Sequence, residues 1–132
     1  DEYKLVETGT DTGIFTGEVI LTGFTLGLSP EERWEQVERI IKTLPEQDRL
    51  ILAGDFNFES DSENYIRLRK NMRDGLAEIT AEPRPTFPAD TPDRRIDYIF
   101  IGDGIEVTEM AEYQHPEIPT ASDHLPQILH FR

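Results

Sequence analysis

Hydrophobic positions change period several times along the chain, and each period predicts a different element. From Phe15 to Leu21 a short run rich in β-prone residues, ending in Val19-Ile20-Leu21, reads as a strand. Tyr3 to Val6 precedes it across the turn-rich Glu7-Thr8-Gly9-Thr10-Asp11-Thr12-Gly13, so the pattern predicts a β-hairpin. Trp34, Val37, Ile40, Ile41 and Leu44 recur instead at steps of three and four, the core-facing stripe of a helix that Pro45 ends. Ser29-Pro30-Glu31-Glu32 supplies its start: a hydroxyl at the N-cap, proline at the first helical position and a glutamate placed to reach back to the cap. The unbroken apolar run Leu50-Ile51-Leu52-Ala53 predicts a strand buried on both faces, with Gly54 where it must turn. Asp61 or Ser62 can cap a second helix to about Met72, burying Tyr65, Leu68 and Met72 and closed by Asp74-Gly75. Pro83, Pro85, Pro88 and Pro92 make the stretch from Glu82 to Arg95 an extended surface loop. Ile96 to Ile101 reads as a strand, Gly102-Asp103-Gly104 as a turn, Ile105 to about Glu112 as another strand and Gln127 to Phe131 as the last. After the hairpin, strands and helices alternate without an internal repeat, which makes the chain α/β.

Composition narrows the chemistry. A length of 132 residues suits one domain, and 36% hydrophobic residues with seven Phe are enough for a core, which excludes disorder throughout. Thirteen Lys and Arg stand against 27 Asp and Glu, a net charge of −14, which excludes a sequence-blind cationic grip on a phosphate backbone. It does not exclude phosphate chemistry, because an enzyme that holds a phosphate ester through a divalent ion uses carboxylates for the purpose. The absence of Cys removes disulfides, thiolate metal sites and cysteine nucleophiles. No apolar run approaches the roughly 20 residues of a membrane helix, so no membrane span is expected. The opening Asp1-Glu2-Tyr3-Lys4, with no initiator Met, suggests a soluble fragment or processed product, cytoplasmic or exported.

Three segments place polar residues at the end of, or inside, an apolar strand: Gly54-Asp55-Phe56-Asn57, Arg95-Ile96-Asp97-Tyr98 and Ser122-Asp123-His124-Leu125-Pro126. Asp97 is the most telling, since a carboxylate on a mostly buried strand has to be paired or hydrogen-bonded, and an imidazole would serve. Asp55, Asn57, Glu59, Asp61 and Glu63 alternate as in a calcium loop, but Ser60 stands where an EF-hand needs Gly and Ile66 where it needs Glu. Arg84, Arg94 and Arg95 around the proline-rich loop could touch a substrate phosphate but read first as solvated; His115 reads as surface, and His130 lies near the end of the last strand, neither joining a motif.

GDFN at 54–57, RIDYIF at 95–100 and SDHLP at 122–126 resemble, in order and spacing, the last three motifs of the endonuclease/exonuclease/phosphatase superfamily of DNase I-like phosphoesterases. LGLSPEER at 26–33 is similar to a helix start in bacterial and archaeal members. The resemblance implies the C-terminal half of a four-layer α/β sandwich, a mostly antiparallel sheet flanked by helices. It divides the chain into an N-terminal hairpin, residues 1–23, that is not family-like, and a partial phosphoesterase domain, residues 24–132. By the same resemblance Asp55 positions or deprotonates the attacking water and Asn57 holds it. His124 stabilises phosphoryl oxygens or shuttles a proton, and Asp97 fixes its tautomer. Asp123 and Asp55 are the expected metal ligands, for Mg²⁺ or Mn²⁺. The implied substrate is a phosphodiester or phosphomonoester; nucleic acid, lipid head group and sugar phosphate all stay open.

Two departures accompany the match. The first half of the family's fold, with its early Asn and metal-binding Glu, has no convincing counterpart, since Glu7 and Glu18 lie in the hairpin. Thr25 stands where related chains carry a second catalytic His. The resulting expectations are an impaired phosphoesterase, or a non-catalytic module that keeps the motifs, and self-association through an uncovered sheet.

Overall fold

The computed structural model describes residues 4–9, 16–23, 29–112 and 115–132, with side chains from residue 29 onward. Its strands and helices follow in the order β1 (Lys4–Gly9), β2 (Thr16–Gly23), α1 (Pro30–Thr43), β3 (Leu50–Asp55), α2 (Glu63–Arg69), β4 (Arg73–Asp74), β5 (Asp97–Ile101), β6 (Val107–Glu112), α3 (Ile118–Ala121) and β7 (Gln127–Phe131). Five strands form one sheet in the order β1-β2-β3-β5-β4, and β6 and β7 form a second. β1 and β2 pair antiparallel, as the hairpin reading expects; its turn at 10–15, Thr25 and the LGL of the helix start lie outside the described residues. β2 runs parallel to β3, from Glu18 opposite Leu50 to Gly23 opposite Asp55, whereas β3–β5 and β4–β5 are antiparallel. This register puts Glu7 and Glu18, which are ladder partners, five residues from the Asp55 end of β3, roughly 17 Å along the strand.

Side-chain alternation explains the layers. On β3 Leu50 and Leu52 point into one cluster with Tyr98 and Phe100 of β5, against Val37 and Ile40 of α1 and Tyr65 and Leu68 of α2. Ile51 and Ile101 point the other way, where Ala53, Ile99 and the β6–β7 residues Val107, Leu129 and Phe131 pack with Ile105. The sheet therefore has helices on one face and the small sheet on the other, which is why Leu50-Ile51-Leu52 is apolar throughout. Each fully buried side chain of this kind contributes on the order of 1.5–3 kcal/mol. Phe56, Phe58, Tyr98 and Phe100 add an aromatic centre: Phe56 meets Phe58 and Phe100 at 5.4 Å and Tyr98 at 5.8 Å between ring centroids. The Tyr98 hydroxyl lies 2.8 Å from the carbonyl oxygens of Phe58 and Arg95, and burial raises its pKa, so it stays a donor.

Five expectations need correction. Trp34 is not core: it is 39% exposed and carries the Arg67 guanidinium 4.1 Å from its ring. α2 ends at Arg69 rather than Met72, because Arg73 and Asp74 are drawn into the ladder opposite Ile101 and Phe100. Asp74 is consequently no closing turn residue but fully buried. It accepts from both ends of the Arg95 guanidinium at 2.6 and 2.7 Å and from the Tyr65 hydroxyl at 2.7 Å, so Arg95 is not solvated either. Finally, the proline-rich stretch is only partly a surface loop, since Thr86 and Ala89 are buried and the Phe87–Arg94 pair forms a bridge. The turn after β5 behaves as expected: a Cβ on Gly102 would run into the Asp48 carbonyl oxygen.

Candidate active site

Asp55 and Asp97 are direct cross-strand partners at the ends of β3 and β5. Two carboxylates facing each other across a ladder repel, so the pair needs a proton, a cation or a donor between them. His124 supplies one: its Nδ1 is 2.8 Å from Asp97 Oδ2 and its Nε2 is 3.8 Å from Asp55 Oδ2. Asp123 Oδ1 is 3.9 Å from the same Nε2, but its side chain is 78% exposed. Asp55, Asp97 and His124 can bring one ligand atom each within 4.8 Å of the others.

Local chemistry accounts for each placement. After β3 the buried Phe56 anchors in the aromatic centre, and its N–H donates to the Ile96 carbonyl at 2.9 Å. Asn57 follows at φ 50°, a left-handed conformation that Asn tolerates better than most residues, and its N–H donates back to Asp55 Oδ1 at 2.9 Å. Around His124, the Ser122 hydroxyl accepts from the His124 N–H at 3.1 Å, Ala89 N–H donates to Asp123 O at 2.7 Å and Leu125 N–H donates to Thr86 O at 2.7 Å. Phe87 lies against the imidazole, 4.9 Å between centroids. The proline-rich loop thus carries the side of the site that faces His124.

Partial burial raises the Asp55 pKa above the ordinary 3.8; the Asn57 N–H opposes this, and the charge of Asp97 adds to it. For His124 desolvation works to lower the pKa, but the hydrogen bond and charge of Asp97, helped by Asp55 and Asp123, outweigh it and raise the value above 6.5. Three carboxylates thus converge on one imidazole, an excess of negative charge that a hard divalent cation would relieve. Among the described residues, Asp55, Asp97 and His124 are the group whose ligand atoms lie close enough together to hold such an ion.

The structure brings together Asp55, Asp97, Asp123 and His124, and places Asn57 on the turn beside Asp55. His115 and His130 are exposed and outside the group. Thr86 and Phe87, which touch it, lie in a loop whose only sequence signal is its prolines. Behind them is an apolar cleft of about 730 Å³, lined by Thr86, Ala89, Met110, Ile118 and Leu125 among others but by none of the four converging residues.

The fold is an α/β sheet with acidic groups and an imidazole gathered at its strand ends. A sequence model described as the Endonuclease/Exonuclease/phosphatase family matches residues 7–124, and the chain belongs to that family. The match begins within β1 and reaches His124. No curated protein matches the chain. Among solved structures, a functionally unknown conserved protein from Enterococcus faecalis is 25% identical with a TM-score of 0.74, over 87% of this chain and 49% of that one. An endonuclease/exonuclease/phosphatase from Bacteroides vulgatus is 26% identical with a TM-score of 0.68, over 87% and 49%. A mannosyl-6-phosphatase from Bacteroides thetaiotaomicron, 19% identical with a TM-score of 0.60 over 92% and 53%, shares the fold. The chain spans about half the length of these structures, consistent with a DNase I-like domain of which it forms one half. No helix among the described residues is long and apolar enough to cross a membrane.

Proposed function

We propose that the chain carries the catalytic half-site of a divalent-metal-dependent phosphoesterase. The observation that carries this reading is the convergence of three distant segments, through Asp55, Asp97 and His124, on one point at the strand ends. Mg²⁺ or Mn²⁺ held by Asp55 and Asp123 would offset charge on the phosphate oxygens and acidify bound water. Asp55, with its raised pKa, accepts a proton from the attacking water, and Asn57 holds that water against the phosphate. His124 presents Nε2 to the phosphoryl oxygens and moves a proton there, while Asp97 holds Nδ1. Because the early Asn and the Glu of the family pattern have no counterpart in the sequence, and Thr25 replaces a His, turnover by this chain alone is low. The substrate is a nucleic acid, lipid or sugar phosphate, and the charge of −14 weighs against tight, unassisted nucleic-acid binding.

The test is hydrolysis of bis(p-nitrophenyl) phosphate and plasmid DNA with Mg²⁺ or Mn²⁺, with and without EDTA. EDTA-sensitive turnover that falls by about 10²–10⁴-fold in Asp55→Ala is the expected result. The same rate in Asp55→Ala, or no turnover by folded protein, overturns the reading. The second outcome would favour the non-catalytic module that Thr25 suggests, for which Mg²⁺ binding by Asp55 and Asp123 should be weak in titration calorimetry.

A further inference from the structure

Thr86 belongs to none of the three motifs, yet it is 3% exposed and touches two of them directly. Its Oγ1 lies 2.6 Å from Asp97 Oδ2 and 3.4 Å from the backbone nitrogens of Ile96 and Asp97. Those two N–H groups point at the hydroxyl oxygen and occupy its lone pairs, so its single hydrogen is directed at Asp97. Asp97 Oδ2 therefore accepts from Thr86, and the same oxygen lies 2.8 Å from His124 Nδ1. An ionised carboxylate has no hydrogen to give, so Nδ1 has to be the donor, and the Nε2 lone pair is left facing Asp55 and Asp123. The Thr86 backbone closes the arrangement: its carbonyl accepts from Leu125 N–H at 2.7 Å, and its N–H donates to the Arg94 carbonyl at 2.8 Å. One residue thus holds both the carboxylate that orients the imidazole and the chain that carries it.

We propose that Thr86 is a positioning residue of this site: its hydroxyl fixes the Asp97 carboxylate and thereby the Nδ1–H tautomer and the aim of His124. Its effect on rate rests on the phosphoesterase reading, whereas the tautomer is a property of the free protein. Thr86→Val keeps the side-chain volume and loses the hydroxyl, while Thr86→Ser does the reverse. The experiment is ¹H–¹⁵N NMR of the histidine rings in the full chain, without metal or substrate, at about pH 9 where imidazole is neutral. Wild type and Thr86→Ser should show a protonated Nδ1 on His124 and a solvent-protected Hδ1 resonance. Thr86→Val should lose that resonance and several-fold of the Nδ1–H population. A wild-type spectrum in Thr86→Val overturns the proposal, and so does a Thr86→Ser spectrum like that of Thr86→Val, because packing of the methyl group would then be what matters. Should Thr86→Val fail to fold, the wild-type hydroxyl decides: a protected Thr86 Hγ1 with an Overhauser contact to His124 Hδ1 supports the proposal, and its absence overturns it. In parallel, kcat for bis(p-nitrophenyl) phosphate should fall roughly tenfold in Thr86→Val with KM unchanged and return in Thr86→Ser. No hydrolysis by wild type would sink the functional reading and leave the spectroscopic result to stand or fall by itself.

Discussion

The sheet carries two groups of aspartates that solve the same problem in opposite ways. Asp74 on β4 is fully buried and meets a guanidinium fork, a tyrosine hydroxyl and the Leu76 N–H at 3.1 Å. Desolvation works to raise its pKa, but Arg95, Tyr65 and Leu76 outweigh it and hold the value below the ordinary 3.8. Asp55 and Asp97, on neighbouring strands, keep 31% and 17% exposure and share one imidazole, with no arginine or lysine among the described residues ion-paired to either. Full compensation makes Asp74 inert and structural. Incomplete compensation leaves the other pair with an unmet demand for positive charge, which is what a metal- or phosphate-handling site requires.

Removing the compensation is the strongest way to break this contrast. Asp74→Ala should lower the unfolding free energy by about 3–5 kcal/mol, because it leaves the Arg95 charge buried and unpaired. Urea denaturation checks this, and the double variant Asp74→Leu/Arg95→Met should recover most of the loss. The two groups also have opposite pH signs. Asp74, with its lowered pKa, contributes stability that is present above 3.8 and lost as pH falls through its folded value. His124, with its raised pKa, contributes stability that is present below 6.5 and lost as pH rises through its folded value. Melting temperature should therefore fall at both ends, with the acid limb flattened in the Asp74→Leu/Arg95→Met protein and the alkaline limb flattened in His124→Ala.

A smaller effect with the reverse sign should appear at the other pair. Asp55→Asn removes a charge that is partly desolvated and repelled by Asp97, so the folded protein should become more stable by a few tenths of a kcal/mol while metal-dependent hydrolysis is lost. Equal or lower stability in a thermal melt would mean that the Asp55–Asp97 repulsion is already relieved by His124.

What could be read from the sequence was local or periodic. The capping box of α1 needs only four residues, and it forms as expected, with Ser29 Oγ accepting from Glu32 N–H at 3.2 Å and Glu32 Oε2 accepting from Ser29 N–H at 2.7 Å. Strands β3, β5 and β7 and the convergence of Asp55, Asp97 and His124 follow from motif order. Long-range pairing was not legible: Asp74 and Arg95 are 21 residues apart, and Asp-Gly in a polar stretch looks like a turn whether or not a guanidinium lies over it. Thr86 was hidden for the same reason, since prolines announce an irregular backbone without saying which side chain it buries. Trp34 shows a limit of periodicity, which names a helix face but not how far around the helix the neighbouring layer reaches.

Trp34 also supplies the mildest test, because its cluster lies between the two aspartate groups in character. Arg67 stacks on the Trp34 ring at 4.1 Å and reaches Glu38 Oε1 at 2.9 Å, joining α2 to α1 across a half-exposed surface. Arg67 holds the Glu38 pKa below its ordinary value, with help from Lys42, so an electrostatic contact is present, but Glu38 is open to solvent and screened. The planar guanidinium over the indole is the part that survives screening, because it also covers apolar surface. Arg67→Lys keeps the charge and loses the planar stack, and it should cost about 0.5–1 kcal/mol in urea denaturation, little changed by salt. Glu38→Gln keeps the stack and should be close to neutral. The opposite order, with Glu38→Gln the costlier and its cost falling as salt is added, would show that the two helices are joined by charge rather than by stacking.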